Sequence, residues 1–593
     1  MSVRLALCVS LLAGWASGRA EITAPGWSDA DSRAILEQTL EVTLAPDLSG
    51  LRPAESAALG PLLKAGAQVQ DIYEDQKHPQ ALAARARLRQ AHAQAPGERT
   101  EALLRLYRLA KGPVITNPQN ERVAFLDVDA ETPGRNVYPS GMTRDVFREA
   151  AAARPGLLFP RGSVRRTGSP AQAADRRALA ARPGLELLHP GLADRLAGSS
   201  AGLYIAPYSL VYADRVSEIS ALIREAAARL ADVDPDLAAY LRLRALDLLS
   251  ENYEAGDAAW VLGRFGNLNV QLGSYETYDD TLAGIKAFYG MSVLVRDPVR
   301  TRELEADLGG LQDLENQLPY GQHKKVREDI PVGVYNVVAD FGQARGANTA
   351  TILPNDADHA RKYGRTILLR YNIMTHPALF ERARARFAAA TAEAFHADLT
   401  AEARFRRTLW HEIGHYLGVD RTHDGRPLGE ALGEYADLLE ELKSDLVSSF
   451  SAPPLQASGR FRDADVRGIY AAGVLRVLQD VRPRSDQPYQ TMQLMKWNWL
   501  LDRGALDWDG ESGVLNIDYA AFPAAVRSML AEVLAVQRAG DSERARAFVA
   551  RWSAWDPDRH GRVAARIRAA SPTRYTLVRY AALDGAGGDN GSP

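Results

Sequence analysis

Apolar residues recur every three or four positions over most of this chain, the spacing of one buried helix face. The pattern, rich in Ala, Leu and Arg, runs from residue 28 to about 109. It returns at 216–230 and 237–253 and dominates again from Pro377 onward. Two stretches break it. Residues 112–138 are mixed, with short strand-like pieces such as Val123-Ala124-Phe125-Leu126. Val334-Tyr335-Asn336-Val337-Val338 and Arg365-Thr366-Ile367-Leu368-Leu369 predict strands, with a Gly/Asn/Pro-rich loop between them. The expectation is an α+β protein, mostly helical, with a small β region and no internal repeat.

A chain of 593 residues is too long for one hydrophobic core, so two or more lobes are expected. Hydrophobic residues make up 46%, charged residues 24%, and net charge is −3, which points away from nucleic acid and anionic membranes. At the N-terminus, Arg4 precedes an apolar run over 5–15 that is too short to span a bilayer. The small residues Ala16-Ser17-Gly18 follow. This predicts an export signal over 1–20 and a periplasmic or secreted protein. The single cysteine, Cys8, lies inside that signal, and the bulky Leu7 before it argues against a lipid anchor. A mature chain without cysteine has no disulfide, thiolate ligand or thiol nucleophile. No later stretch is apolar enough to cross a membrane. The Gly-, Asn- and Ser-rich end, 584–593, reads as a disordered tail.

The chemistry concentrates in His411-Glu412-Ile413-Gly414-His415. Thr400 can cap a helix running into this segment. Residues four apart share a helix face, so two imidazoles can bind one metal ion. The intervening carboxylate, Glu412, can take a proton from water there, as in zinc hydrolases. Gly414 weakens the helix but leaves room near the metal. A catalytic zinc needs a third protein ligand and an open position. His415-Tyr416-Leu417-Gly418 begins like a metzincin, but the position for the third His is Arg421, and His423 comes two residues late. A later helix offers Glu434, Asp437, Glu441 and Asp445 in a stripe opposite Leu432, Leu439, Leu442 and Leu446. Glu441 is the preferred third ligand, within Glu441-x-x-Ser444-Asp445, with Glu434 as the alternative. That segment resembles the second signature of zinc peptidases whose third ligand is Glu, and the resemblance implies that Asp445, one turn on, receives the free N–H of a ligand histidine and fixes its orientation.

These motifs together resemble the dipeptidyl peptidase III metallopeptidases. Glu440-Glu441-Leu442-Lys443-Ser444-Asp445 resembles the family's zinc-binding Glu-Glu motif, with Glu440 beside the ligand. Gly273-Ser274-Tyr275-Glu276-Thr277-Tyr278-Asp279-Asp280 resembles its Glu-x-Tyr segment, and Leu353-Pro354-Asn355-Asp356 its substrate loop. The resemblance implies that Glu276 binds a peptide's amino terminus, Tyr278 stabilises the transition state and Asn355 holds substrate backbone. It implies one Zn2+ per chain, short peptide substrates, and a monomer. The implied fold has two lobes around a wide cleft: an upper, helical, zinc-binding lobe and a lower, mixed lobe with a small β-barrel. The corresponding division is 21–297 lower, 298–332 upper, 333–382 lower, 383–570 upper, and 571–593 a C-terminal return and tail. The family usually carries six residues in its His-Glu motif where this chain has five, and Tyr489 and Gln493 align where the family carries a substrate-contacting His and Arg. The expected activity is zinc-dependent release of N-terminal dipeptides from short peptides. The alternatives are a zinc endopeptidase or aminopeptidase of the Glu-ligand class, or a zinc-containing peptide-binding protein without turnover.

Overall fold

The computed structural model describes residues 22–197, 202–326, 331–344, 349–354, 356–478 and 488–584. The export signal with Cys8, residue Asn355 and the tail beyond 584 lie outside the described residues.

Two large hydrophobic cores define two lobes. In the lower lobe, helices α1 (Pro53–Lys77), α2 (Ala213–Leu230) and α3 (Pro235–Ser250) pack in sequence on one another. Helix α1 also covers a curled five-stranded sheet. Its strands are β1 (Leu268–Glu276), β2 (Phe288–Arg296), β3 (Val332–Gly342), β4 (Ala350–Leu353) and β5 (Thr366–Arg370). The order is β1-β2-β3-β5-β4, antiparallel except for the β3/β5 pair. This sheet is the small β region expected from the sequence. Strands β1 and β2 are additions to that expectation.

The sheet belongs to both lobes. Val334, Ile367 and Leu369 are buried in the upper core, while Tyr335, Val337 and Leu368 are buried in the lower one. Side chains alternate faces along a strand, so β3 and β5, covered on both sides, read as continuous apolar runs. A buried ion pair, Arg370 Nη1 to Asp340 Oδ2 at 3.2 Å, crosses from β5 to β3.

The upper lobe is built on α4 (Ala401–Gly414), α5 (Ala436–Phe450), α6 (Asp463–Leu478), α7 (Pro488–Asp502) and α8 (Phe522–Ala539). Helix α5 is central and touches the other four. Leu432, Leu439, Leu442 and Leu446 are all buried, as their spacing predicts. The N-terminal helical region contains one departure from its helical reading. Thr39–Leu44 forms a strand paired in parallel with Tyr575–Tyr580, so the C-terminal return docks beside the chain's beginning. Among the described residues, no helix is long and apolar enough to cross a membrane.

Candidate metal centre

Helix α4 starts at Thr400, whose Oγ1 accepts a hydrogen bond from the Ala403 N–H at 3.0 Å. It ends at Gly414, and His415 is the cap residue. The end is held by Lys443, a buried lysine whose Nζ donates to the Gly414 and Leu417 carbonyls, each at 2.8 Å. A cation at a helix C-terminus satisfies the last carbonyls and complements the helix dipole. Gly414 does not make room for a metal, as its place in the motif suggested. A Cβ there would meet the Ser444 Cα at 2.8 Å and its carbonyl oxygen at 2.9 Å. The glycine lets α4 and α5 touch backbone to backbone, which brings both parts of the site together.

His411, His415 and Glu441 each offer one ligand atom, and these atoms lie within 4.8 Å of one another. His411 Nε2 is 3.3 Å from Glu441 Oε2, and His415 Nε2 is 4.0 Å from it. Zinc ligands at about 2.0–2.2 Å in a tetrahedron stand roughly 3.3–3.5 Å apart; the His411–Glu441 separation matches this and the His415–Glu441 separation is about half an ångström wider, so small side-chain shifts would let the three hold one ion. Among the described residues, Glu441 Oε2 is buried and has no well-aligned hydrogen-bond donor, which leaves a lone pair for a metal. Glu434 sits in the exposed turn Gly433–Tyr435 and does not join the group.

The surroundings fix the ligands. His415 Nδ1 lies 3.1 Å from Glu440 Oε1 and 3.0 Å from Ser444 Oγ. Burial would raise the Glu440 carboxyl, but Lys443, 2.7 Å away, and His415 outweigh it and hold it at about 2. Asp445 stands 3.7 Å from His411 Nδ1, too far for the hydrogen bond expected of it. Its carboxylate is fully buried between Arg407 and Lys496, with Lys496 Nζ at 2.7 Å. Two cations therefore compete for the aspartate that the sequence assigned to histidine. Burial, with Arg407 and His415 nearby, lowers His411 to about 3, the neutral form a metal requires. Burial, reinforced by Glu441, raises Glu412 to about 7 against the pull of His415 and Arg407.

These groups open into a cavity of about 760 Å³ between the lobes. Glu276, the last residue of β1, and Tyr278, just after it and 75% exposed, line the same cavity as His411, Glu412, His415 and Glu441. Tyr489 Oη donates to Glu441 Oε1 at 3.3 Å, whereas Gln493 on the same helix is buried and does not line the cavity. Thr349 and residues 350–352 of the outer strand β4 form one wall. Arg404, Arg407 and Arg476 also line it. Sequence reading missed these arginines. Arg404 and Arg407 stand seven and four residues before His411, on the same helix face, and could have been found that way.

The fold and the site define a class: a two-lobed, mostly helical protein with a His-His-Glu centre in the cleft. Its architecture is that of dipeptidyl peptidase III. The dipeptidyl peptidase III structure from Caldithrix abyssi superposes with a TM-score of 0.78 at 21% identity, over 93% of this chain and 99% of that one. That from Corallococcus sp. strain EGB gives 0.73 at 23% identity, over 94% and 98%. The fold expected from the separated motifs is thus the fold observed. By sequence, the chain is similar to Nudix hydrolase 3 of Arabidopsis thaliana, 25% identical over 556 residues, covering 86% of this chain and 69% of the plant protein. No family model matches the chain.

Proposed function

We propose that this protein is an exported, monomeric zinc metallopeptidase that removes dipeptides from the N-terminus of short peptides. The observation that carries this reading is the meeting, in one cleft, of His411, His415 and Glu441 with Glu412, Glu276 and Tyr278. A zinc ion held by the first three would supply a Lewis acid and a water of lowered pKa. Glu412 takes the proton of the attacking water and delivers it to the leaving nitrogen. Glu276 pairs with the substrate's ammonium group, and the Tyr278 hydroxyl donates to the developing oxyanion. The outer edge of β4 can pair with an extended peptide, bringing its backbone alongside the metal site.

The test is the product spectrum from zinc-loaded protein and a set of four- to eight-residue peptides. Intact dipeptides from the amino end are expected. Single residues or internal cuts would defeat the exopeptidase reading, and zinc-replete protein that cleaves nothing would leave a binding protein. N-terminal sequencing of the mature chain from a secreting host tests the export signal, with a start near residue 19–21 expected.

A further inference from the structure

Helix α4 and the edge strand β4 lie side by side, and their ends are identifiable. At one end, Tyr416 Oη donates to the Arg365 carbonyl at 3.1 Å, beside the Thr366↔Leu353 pair of the sheet. At the other end, the rings of Phe405 and Tyr371 meet at 5.1 Å, next to the Leu369↔Ala350 pair. The histidines thus sit toward Leu353 and the start of the helix sits toward Ala350.

Arg404 occupies that far end and lines the cleft. Among the described residues, its Nη1 is buried without a hydrogen-bond partner and no carboxylate pairs with it. Its charged neighbours are two more arginines, Arg382 and Arg386 of the helix Pro377–Ala390. Among the described residues, those two bond to neutral hydroxyls, Arg382 to Thr576 Oγ1 at 2.9 Å and Arg386 to Ser571 Oγ at 3.2 Å. Burial, with those two charges, lowers the Arg404 guanidinium to about 10. Three neighbouring cations without a counter-charge are unfavourable in a partly buried place unless an anion joins them. The opening beside Arg404 is the substrate cleft itself.

We infer that Arg404, backed by Arg382 and Arg386, forms a carboxylate subsite on the leaving-group side of the cleft. This rests on the dipeptide-releasing reading, in which Glu276 pairs with the amino end and the peptide continues along β4 toward Ala350. Arg404 precedes His411 by seven helical positions, about 10 Å along the axis. An extended peptide covers that distance in roughly three residues. The subsite therefore receives a carboxylate about three residues beyond the cut bond: the C-terminus of a pentapeptide, or an acidic side chain at that position of a longer one. Recognition at this point would make the enzyme read peptide length.

The probes are penta-alanine with a free C-terminus, its C-terminal amide, and the amide with Glu at the fifth position, each with wild type, Arg404→Gln and Arg404→Lys. In wild type, a charged contact of this kind raises kcat/KM for the free acid over the amide roughly tenfold. The Arg404→Gln ratio falls to near one, and Arg404→Lys keeps part of it. If the Glu-containing amide equals the free acid, the subsite serves acidic side chains as well. If it equals the plain amide, the subsite serves the chain end alone. Equal wild-type rates for all three probes overturn the inference, as does an acid preference that survives in Arg404→Gln. A dipeptidyl arylamide, which has no residues beyond the cut, checks dipeptide release separately. Should nothing be cleaved, calorimetric binding of the same three peptides to the zinc-loaded protein still decides the subsite, by the same ratios.

Discussion

Replacing Gly414 with alanine tests the claim that helix contact builds the metal centre. The added Cβ would lie 2.8, 2.9 and 3.2 Å from the Ser444 Cα, O and C atoms. Comfortable carbon contacts are about 3.5–4.0 Å, so the helices must part by roughly half an ångström to an ångström. Backbone cannot turn aside as a side chain can. Overpacking of this kind costs about 1–3 kcal/mol, partly offset by up to about 1 kcal/mol because alanine is the better helix former. The apoprotein should therefore lose about 1–2 kcal/mol. The larger effect falls on metal binding. Glu441 and Ser444 move with α5, while His411 and His415 move with α4, so the 3.3 Å and 4.0 Å ligand separations open further. A ten- to hundredfold loss of zinc affinity follows, the scale seen when ligand-orienting contacts are disturbed. The assays are thermal melting in chelator and zinc titration against a competing chelator. Gly429→Ala is the control, because nothing lies within 4 Å of its added Cβ. A Gly414→Ala protein that melts at or above wild type and binds zinc within twofold of it would refute the reasoning.

Other outcomes follow from the same geometry. Glu412→Gln should keep the zinc content, measured by elemental analysis, while kcat for peptide cleavage falls at least about a hundredfold; unchanged turnover would place the chemistry elsewhere. Glu441→Ala should leave two ligands and lose zinc on dialysis, and chelator should abolish wild-type cleavage with recovery on adding Zn2+. Asp445→Asn leaves Arg407 and Lys496 buried without their carboxylate and should destabilise the upper lobe by about 3–5 kcal/mol in denaturant unfolding. Burial raises Glu251 from its ordinary 4.5 to about 8, against the Ser209 N–H and Arg161. The folded state then keeps a proton that the unfolded chain releases, so stability falls as pH rises from about 4.5 through about 8. Glu251→Gln should flatten that slope, and an unchanged pH profile of melting would count against it.

Much of the site was legible because its signals are local. His411, Glu412 and His415 sit at helical spacing on a capped helix, and Glu441 follows from a second helical motif. What the sequence hid depends on neighbours distant along the chain. Lys496 lies 51 residues beyond Asp445, and nothing local says that it takes the aspartate's charge. Gly414 was read for the metal beside it, when the atom it makes room for is the backbone of Ser444. Strand Thr39–Leu44 was lost in a helical stretch because the strand it pairs with lies more than 500 residues away. Strands β3 and β5 were easier, since burial on both faces makes them apolar without interruption.

That double burial bears on how the lobes can move. Leu368 fills the lower core while its neighbours Ile367 and Leu369 fill the upper one. The strand is thus a shared wall, and the lobes do not hang on a slack tether. Any closure about the cleft would have to flex or shear the sheet itself, so its stiffness would set the cost of closing. Loss of either core removes support from the other, and the expected signature is one calorimetric transition in place of two.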